Sequence, residues 1–373
     1  MPILLKPYLG CNLQCEYCYE KNYRKKHNPR MDYDLSAVLK AMEEQYQIGE
    51  QKSFGLHGGE PLCIPKEDVE ALLNKSYELT KCSSIETNAT LIDKDFIELF
   101  KKYNTHVGIS LDGPGELSKY RMSARKADKI NELIPRLIKE GLGVSVIAVI
   151  SKSNAETLEQ QRKFKGWLLD LKELGVGGRI NPCAGGGSAG YELNMNTLTE
   201  FYLDLANFCI RNGVSWSPLS DMSLRMRDKG AVCVFMGCDL YHTNSATVIL
   251  GDGSITNCMR TNQGDIILRH PAKYGTREEL LQEIPQEYGG CQDCEFWYAC
   301  HGGCPSEAID GDWRNRTHLC PMYKELFKFY GNLMKAISLE KTESSKKQPG
   351  HRDIHRDTPH VDIKKHTDTG GKR

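Results

Sequence analysis

Residues 11–20 read CNLQCEYCYE: three cysteines spaced C-x3-C-x2-C, with Tyr17 before the last, just downstream of the apolar run Ile3–Lys6. Three thiolates so close in sequence can wrap one corner of a cuboidal 4Fe–4S cluster and leave its fourth iron open to a chelating small molecule. The rival reading is a zinc knuckle short of one ligand, whereas structural zinc ordinarily takes four protein ligands.

The rest of the chain suits an iron–sulfur protein. There are 15 cysteines among 373 residues, an odd number in a long chain without a recognisable signal peptide. Disulfide frameworks belong mainly to short secreted chains, so thiolates held for metal are the better reading. Composition is that of a soluble globular protein, 39% hydrophobic and 26% charged with mean hydropathy −0.50. Lys and Arg number 49, as do Asp and Glu, so the overall charge suggests neither nucleic acid nor an anionic membrane as partner. No apolar run reaches the roughly 18–20 residues needed to cross a bilayer. The expected location is cytoplasmic.

Residues 1–182 alternate between short apolar runs and helical stripes. Ile3–Lys6, Ser53–His57, Ile85–Thr87, His106–Leu111, Gly143–Ile150 and Gly178–Asn181 read as strands. Leu35, Val38, Leu39, Met42 and Tyr46 share one helix face; so do Val69, Leu72, Leu73 and Leu79, and so do Ile130, Leu133, Ile134, Leu137 and Ile138. The alternation predicts an α/β fold with a parallel sheet, a partial (βα)6 barrel whose site sits just after the strands. Residues 183–232 open on the loop CAGGGSAG and continue as a linker and helical region; 233–322 are short Cys- and Gly-rich segments; 323–340 form a last helix. Residues 341–373 carry nine Lys/Arg and five Asp/Glu and almost no aliphatic side chains, so a disordered tail is expected.

The triplet resembles that of the radical S-adenosylmethionine (SAM) superfamily, in position and in the aromatic before its last cysteine. That resemblance implies SAM held by its amino and carboxylate groups on the open iron, then cleaved by an electron to methionine and a 5′-deoxyadenosyl radical that abstracts hydrogen. Further segments lie where the family places its own. Gly58, Gly59, Glu60 and Pro61 are similar to the GGEP segment that meets the SAM amino group; glycine admits a close backbone and a carboxylate suits an ammonium. Thr87, Asn88, Ala89 and Thr90 resemble the TNGT segment, with Ala for Gly. Ser110, Asp112, Gly113 and Pro114 resemble SxDGP, Ser110 reaching the ribose. Arg121 resembles the arginine that meets the SAM carboxylate, with Arg125 as substitute.

A second array runs Cys238-x14-Gly253-x4-Cys258, then Cys291-x2-Cys294-x5-Cys300-x3-Cys304-x15-Cys320. It resembles the SPASM domain of radical SAM enzymes that modify peptides and proteins, which holds two auxiliary 4Fe–4S clusters. By that resemblance Cys233, Cys238, Cys258 and Cys304 hold the first, and Cys291, Cys294, Cys300 and Cys320 the second. Cys63, Cys82, Cys183 and Cys209 are left over; Cys183 and Cys63 are minor site candidates, Cys82 and Cys209 ordinary buried thiols.

The resemblance implies three 4Fe–4S clusters, SAM, a peptide substrate and an external electron donor such as flavodoxin or ferredoxin. The expected function is hydrogen abstraction from a ribosomally synthesised peptide, installing a crosslink or related oxidation. The alternatives are oxidation of Cys or Ser to formylglycine, as in anaerobic sulfatase maturases, and a non-catalytic iron–sulfur electron carrier. One departure bears on the choice: those maturases carry Asp directly after the Cys equivalent to Cys258, where this chain has Met259. No catalytic base is evident. His351-x-Asp353, His355-x-Asp357, His360-x-Asp362 and His366-x-Asp368 give the tail a repeat, read either as a solvated, weakly metal-binding tail or as a substrate-like segment.

Overall fold

A computed structural model describes residues 3–21, 24, 32–48, 53–183, 189–230, 233–239, 247–256, 258, 260 and 275–346. It divides into two compact units, Met1–Gly331 and Asn332–Arg373. The sheet and the site described below lie in the first.

The six expected strands form. They are β1 (Ile3–Lys6), β2 (Phe54–Leu56), β3 (Ser83–Thr87), β4 (Thr105–Ser110), β5 (Val144–Ile150) and β6 (Gly177–Pro182). Neighbours in this series pair in parallel. The sheet then extends beyond the sequence reading. β7 (Trp216–Ser217) joins β6, and β8 (Val248–Leu250) joins β1 in parallel. β9 (Ile255–Thr256) folds back antiparallel on β8, so the sheet has nine strands in the order β7-β6-β5-β4-β3-β2-β1-β8-β9. β7 and β9 contain two residues each, too few to show a period in sequence.

The crossovers are α1 (Leu35–Ile48), α2 (Lys66–Thr80), α3 (Lys94–Lys102), α4 (Ala124–Lys139) and α5 (Leu158–Glu173). Their starts are chemically marked. The Asp93 side chain accepts from the backbone N–H of Phe96, and Thr157 with Gln160 forms a capping box. Each lays an apolar stripe on the sheet: α4 buries Ala127, Ile130, Leu133, Ile134 and Leu137. Burial of each large aliphatic side chain contributes about 1.5–3 kcal/mol.

Alternation along the strands separates two faces. Ile3, Leu5, Phe54, Leu56, Ile85, Val107, Ile109, Val146, Ala148, Ile150 and Ile180 are almost wholly buried in the core. The intervening residues Leu4, Glu86, Ser110, Ile147, Val149, Arg179 and Asn181 line a cavity instead. After β6 come α6 (Met195–Asn212), α7 (Leu219–Arg225), α8 (Arg277–Glu283) and α9 (Cys320–Lys346). Lys341–Lys346, expected to be disordered, continue α9, since a helix already begun gains a hydrogen bond with each added residue. The His-x-Asp repeat lies outside the described residues, as does Met259.

Candidate active site

The cysteine loop and the glycine segment are built against one another. The Gly59 N–H donates to the Tyr8 carbonyl at 3.2 Å and the Glu60 N–H to the Gly10 carbonyl at 2.8 Å. A Cβ at Gly59 would lie 2.0 Å from Gly10 O, and one at Gly58, where φ is +152°, 2.5 Å from Tyr8 O. Sequence reasoning put these glycines in the service of a ligand. Their first constraint is the backbone of the loop that leads to Cys11.

Glu60 is 1% exposed and held by three donors. Its Oε1 accepts from the Leu62 N–H at 3.1 Å and Thr87 Oγ1 at 2.7 Å, and its Oε2 from the Asn88 N–H at 2.7 Å. Burial raises its pKa, against the pull of those donors. Asn88 donates from Nδ2 to Asn12 Oδ1 at 2.8 Å, within the triplet loop. Ala89 has φ +59°, the left-handed conformation that the family's glycine takes freely and that costs an L side chain about 1–2 kcal/mol.

Cys11, Cys15 and Cys18 face one cavity, each within electrostatic range of the others. Desolvation raises the thiol pKa of Cys11 and takes that of Cys15 up to about 11. Arg24 donates to Cys18 Sγ at 3.3 Å. Gly58, Gly59, Glu60, Asn88, Ser110 and Arg121 line the same cavity. Asp112 does not. It is 0% exposed and accepts from Arg121 Nη2 at 3.0 Å, from the Val149 N–H at 2.9 Å and from the Tyr17 hydroxyl. Expected as a cofactor contact, Asp112 instead holds Arg121. The guanidinium packs over the Tyr17 ring, 5.6 Å from its centroid, and its buried Nε has no partner.

The second array reaches the same cavity. Cys258 and Cys304 line this same cavity with Arg260. Tyr19 lies within electrostatic range of both Cys18 and Cys258. Arg260 donates to Glu307 Oε1 at 2.6 Å. Cys238 is buried and within electrostatic range of Arg277, as is Cys304. The backbone of Cys233 lies in a short 3-10 turn, and its side chain is outside the described residues.

Cys291, Cys294, Cys300 and Cys320 surround a separate small space walled by Phe296, Trp297, Tyr323 and Phe327. Burial drives the Cys291 thiol up to about 12 and Cys300 higher still. Arg277, 1% exposed, supports this region by donating to the carbonyls of Gly302, Gly303, Trp313 and Asn315. None of the fourteen described cysteines forms a disulfide. Among the described residues no His, Cys, Asp or Glu group is gathered for a single metal ion. In a cuboidal cluster each thiolate takes its own iron, so the ligands need not converge on one atom.

The donor sets therefore fit iron–sulfur clusters, and the unpartnered Arg121 Nε beside them fits an anionic ligand. Sequence reasoning missed His57, Glu86, Arg179, Arg260 and Tyr19, all in the cavity lining. Cys183, a minor candidate, lines it too, and burial takes its thiol up to about 12.

Comparison with known proteins agrees. Residues 5–164 match the Radical SAM superfamily, so the chain carries a radical SAM domain. It is homologous over most of its length to anaerobic sulfatase maturases. Identity is 25% to the serine-type anaerobic sulfatase-maturating enzyme of Bacteroides thetaiotaomicron, covering 91% of each chain. It is 23% to the cysteine-type enzyme of Clostridium perfringens, covering 88% of this chain and 96% of that one. Among solved structures the fold is shared with native anSMEcpe with bound AdoMet and Kp18Cys peptide, at TM-score 0.69 and 20% identity over 91% of this chain and 99% of that one. It is shared also with Streptococcus suis SuiB bound to precursor peptide SuiA, at TM-score 0.57 and 17% identity over 86% and 75%. Among the described residues no helix is long and apolar enough to cross a membrane.

Proposed function

We propose that the chain oxidises a side chain of a peptide or protein substrate by radical SAM chemistry, in the manner of the anaerobic sulfatase maturases. The observation that carries this is the shared cavity, whose lining holds Cys11, Cys15 and Cys18 with Glu60 and also Cys258 and Cys304. A reduced 4Fe–4S cluster with SAM on its open iron supplies a carbon radical that takes hydrogen from the substrate. The protein's part is positional. Cys11, Cys15 and Cys18 hold the cluster. Glu60, kept buried by its three donors, and the Asn88 segment receive the SAM amino group. Ser110 meets the ribose, and Arg121, steadied by Asp112, meets the carboxylate.

The auxiliary sets are assigned as two further clusters, on Cys233, Cys238, Cys258 and Cys304 and on Cys291, Cys294, Cys300 and Cys320. When bound, such clusters would supply a one-electron acceptor near the substrate, and an external flavodoxin or ferredoxin would supply reducing electrons. The domain scheme is a barrel over 1–182, a linker and helices to 232, the cluster region over 233–322, and the helix and tail beyond.

Full-length similarity to two maturases supports formylglycine formation. A second reading, crosslinking within a ribosomal peptide, is favoured by Met259, which stands where those maturases carry Asp. Anaerobic incubation of the reconstituted enzyme with SAM, dithionite and sulfatase active-site peptides in Ser and Cys forms separates them. An aldehyde trapped by a hydrazine reagent supports the first reading. Loss of hydrogen from the peptide without a trappable aldehyde supports the second. Unaltered peptide and no 5′-deoxyadenosine would leave neither standing.

A further inference from the structure

Oxidation of a side chain at a carbon bearing an S–H or O–H removes a hydrogen atom, an electron and a proton. The hydrogen atom leaves in the homolytic break of the C–H bond and ends in 5′-deoxyadenosine. The unpaired electron on carbon passes to a one-electron acceptor, here an oxidised iron–sulfur cluster. The S–H or O–H bond breaks with its electron pair retained, and that pair becomes the new carbon–heteroatom π bond. The proton needs a base inside the cavity.

The described carboxylates near the cavity differ in how far they are committed. Glu60 already accepts from three donors, and its remaining capacity is assigned to the SAM amino group. Glu20 accepts from Lys6 Nζ at 2.5 Å in a pair of which each side chain is 4% exposed. Asp112 is taken by Arg121, Tyr17 and Val149. Glu307 is bonded to Arg260 through Oε1, and although its Oε2 is also buried without a partner, the residue lies outside the cavity lining. Glu86 differs: its Oε2 is buried without a hydrogen-bond partner, and the side chain lines the cavity.

The fold makes room for it. Glu86 lies on the cavity face of β3, paired with Gly108 of β4. A Cβ at Gly108 would fall 2.2 Å from Glu86 Oε1, so the carboxylate occupies the space which that glycine leaves open. Glu86 lies two residues deeper along the sheet than Ser110, which is in register with Ile147 and, through it, with Arg179 on the cavity face of β6. A polar atom sealed from water and left without a donor is costly, and such groups are retained where a ligand supplies the missing partner.

We propose that Glu86 is the proton acceptor of the oxidation, its carboxylate receiving the hydrogen of the substrate S–H or O–H. This rests on the reading of the chain as a side-chain oxidase. Desolvation holds the Glu86 carboxyl at about 7, so it takes and returns a proton near neutral pH. A general base of this kind contributes roughly 10²–10⁴-fold.

The test compares the reconstituted wild type, Glu86→Gln and Glu86→Asp. Measured in each are SAM affinity by equilibrium dialysis, peptide affinity by fluorescence anisotropy, 5′-deoxyadenosine, and oxidised peptide. The expected result is uncoupling: Glu86→Gln binds SAM and peptide and still yields 5′-deoxyadenosine, while oxidised peptide falls about a hundred-fold, with partial recovery in Glu86→Asp. Oxidised peptide at the wild-type rate in Glu86→Gln would overturn the proposal. So would parallel loss of SAM affinity, 5′-deoxyadenosine and product in both variants, which would make Glu86 a cofactor contact or a folding residue. If wild type cleaves SAM but oxidises no peptide, the functional reading itself fails.

Discussion

Arg121 reaches across to Asp112, Nη2 to Oδ1 at 3.0 Å, while Asp112 also accepts the N–H of Val149 on β5. The arginine beside the cysteine triplet is thus fixed to the sheet through a carboxylate that never touches the cavity. Asp112→Asn keeps the shape and removes the charge. We expect SAM affinity to fall about ten-fold in Asp112→Asn and up to about a hundred-fold in Arg121→Ala, the range of a charge-assisted contact. Equilibrium dialysis with labelled SAM measures it; unchanged affinity in both would remove Arg121 from the carboxylate site.

Iron content tests the cysteine sets. Three clusters of four give about twelve irons per chain. Cys11, Cys15 and Cys18 changed together to Ala should release about four of them and abolish SAM cleavage, while the remaining visible absorption persists. Retained cleavage would show that the triplet does not hold the SAM cluster.

Glu86 also has a thermodynamic signature. Its folded-state pKa of about 7 lies above its ordinary 4.5. Between those values the native state holds a proton that the unfolded chain has lost, so stability falls as pH rises through this window. The full effect above it is about 3 kcal/mol. Glu86→Gln removes the ionisation. Its stability relative to wild type should match near pH 4 and exceed it near pH 8, read from urea midpoints at the two pH values. A difference that does not change with pH would show that the carboxyl is not desolvated.

Arg277 is a support made of one side chain. It donates to four backbone carbonyls in the loops that carry Cys300, Cys304 and the chain before Cys320. Lysine lacks the planar fork that serves them together. Arg277→Lys should lower the thermal midpoint, with a cost of about 3 kcal/mol or more from stranded buried carbonyls. Iron should be lost from the Cys291–Cys320 set before the triplet. Equal loss from both sets would argue against a local role.

Much of the site was legible in sequence because its chemistry dictates residue type. Thiolates at fixed spacings admit few uses, and the six parallel strands put each segment after a strand end. Glu86 and Arg179 were not legible, because an inward position on a strand looks like any polar residue until the register opposite Gly108 is known. Asp112 sat in the right segment, but only the fold shows that it faces Tyr17, Arg121 and Val149 rather than the cavity. The glycines of Gly58–Gly59 were read for their permissiveness, yet what presses on them is the distant backbone of Tyr8 and Gly10.

The pairing of β8 with β1 has a consequence for dissection of the molecule. Leu4, Leu5 and Lys6 stand opposite Val248, Ile249 and Leu250, so the strand before the first cysteines is interior only because a later segment covers its flank. A chain cut before residue 233 would leave β1 as a raw edge, with unsatisfied N–H and C=O groups ready to recruit another copy. The cysteine-rich part is therefore no removable module. Barrel fragments made to isolate the radical chemistry should self-associate, and transplanting that part between relatives requires carrying β1 along with it.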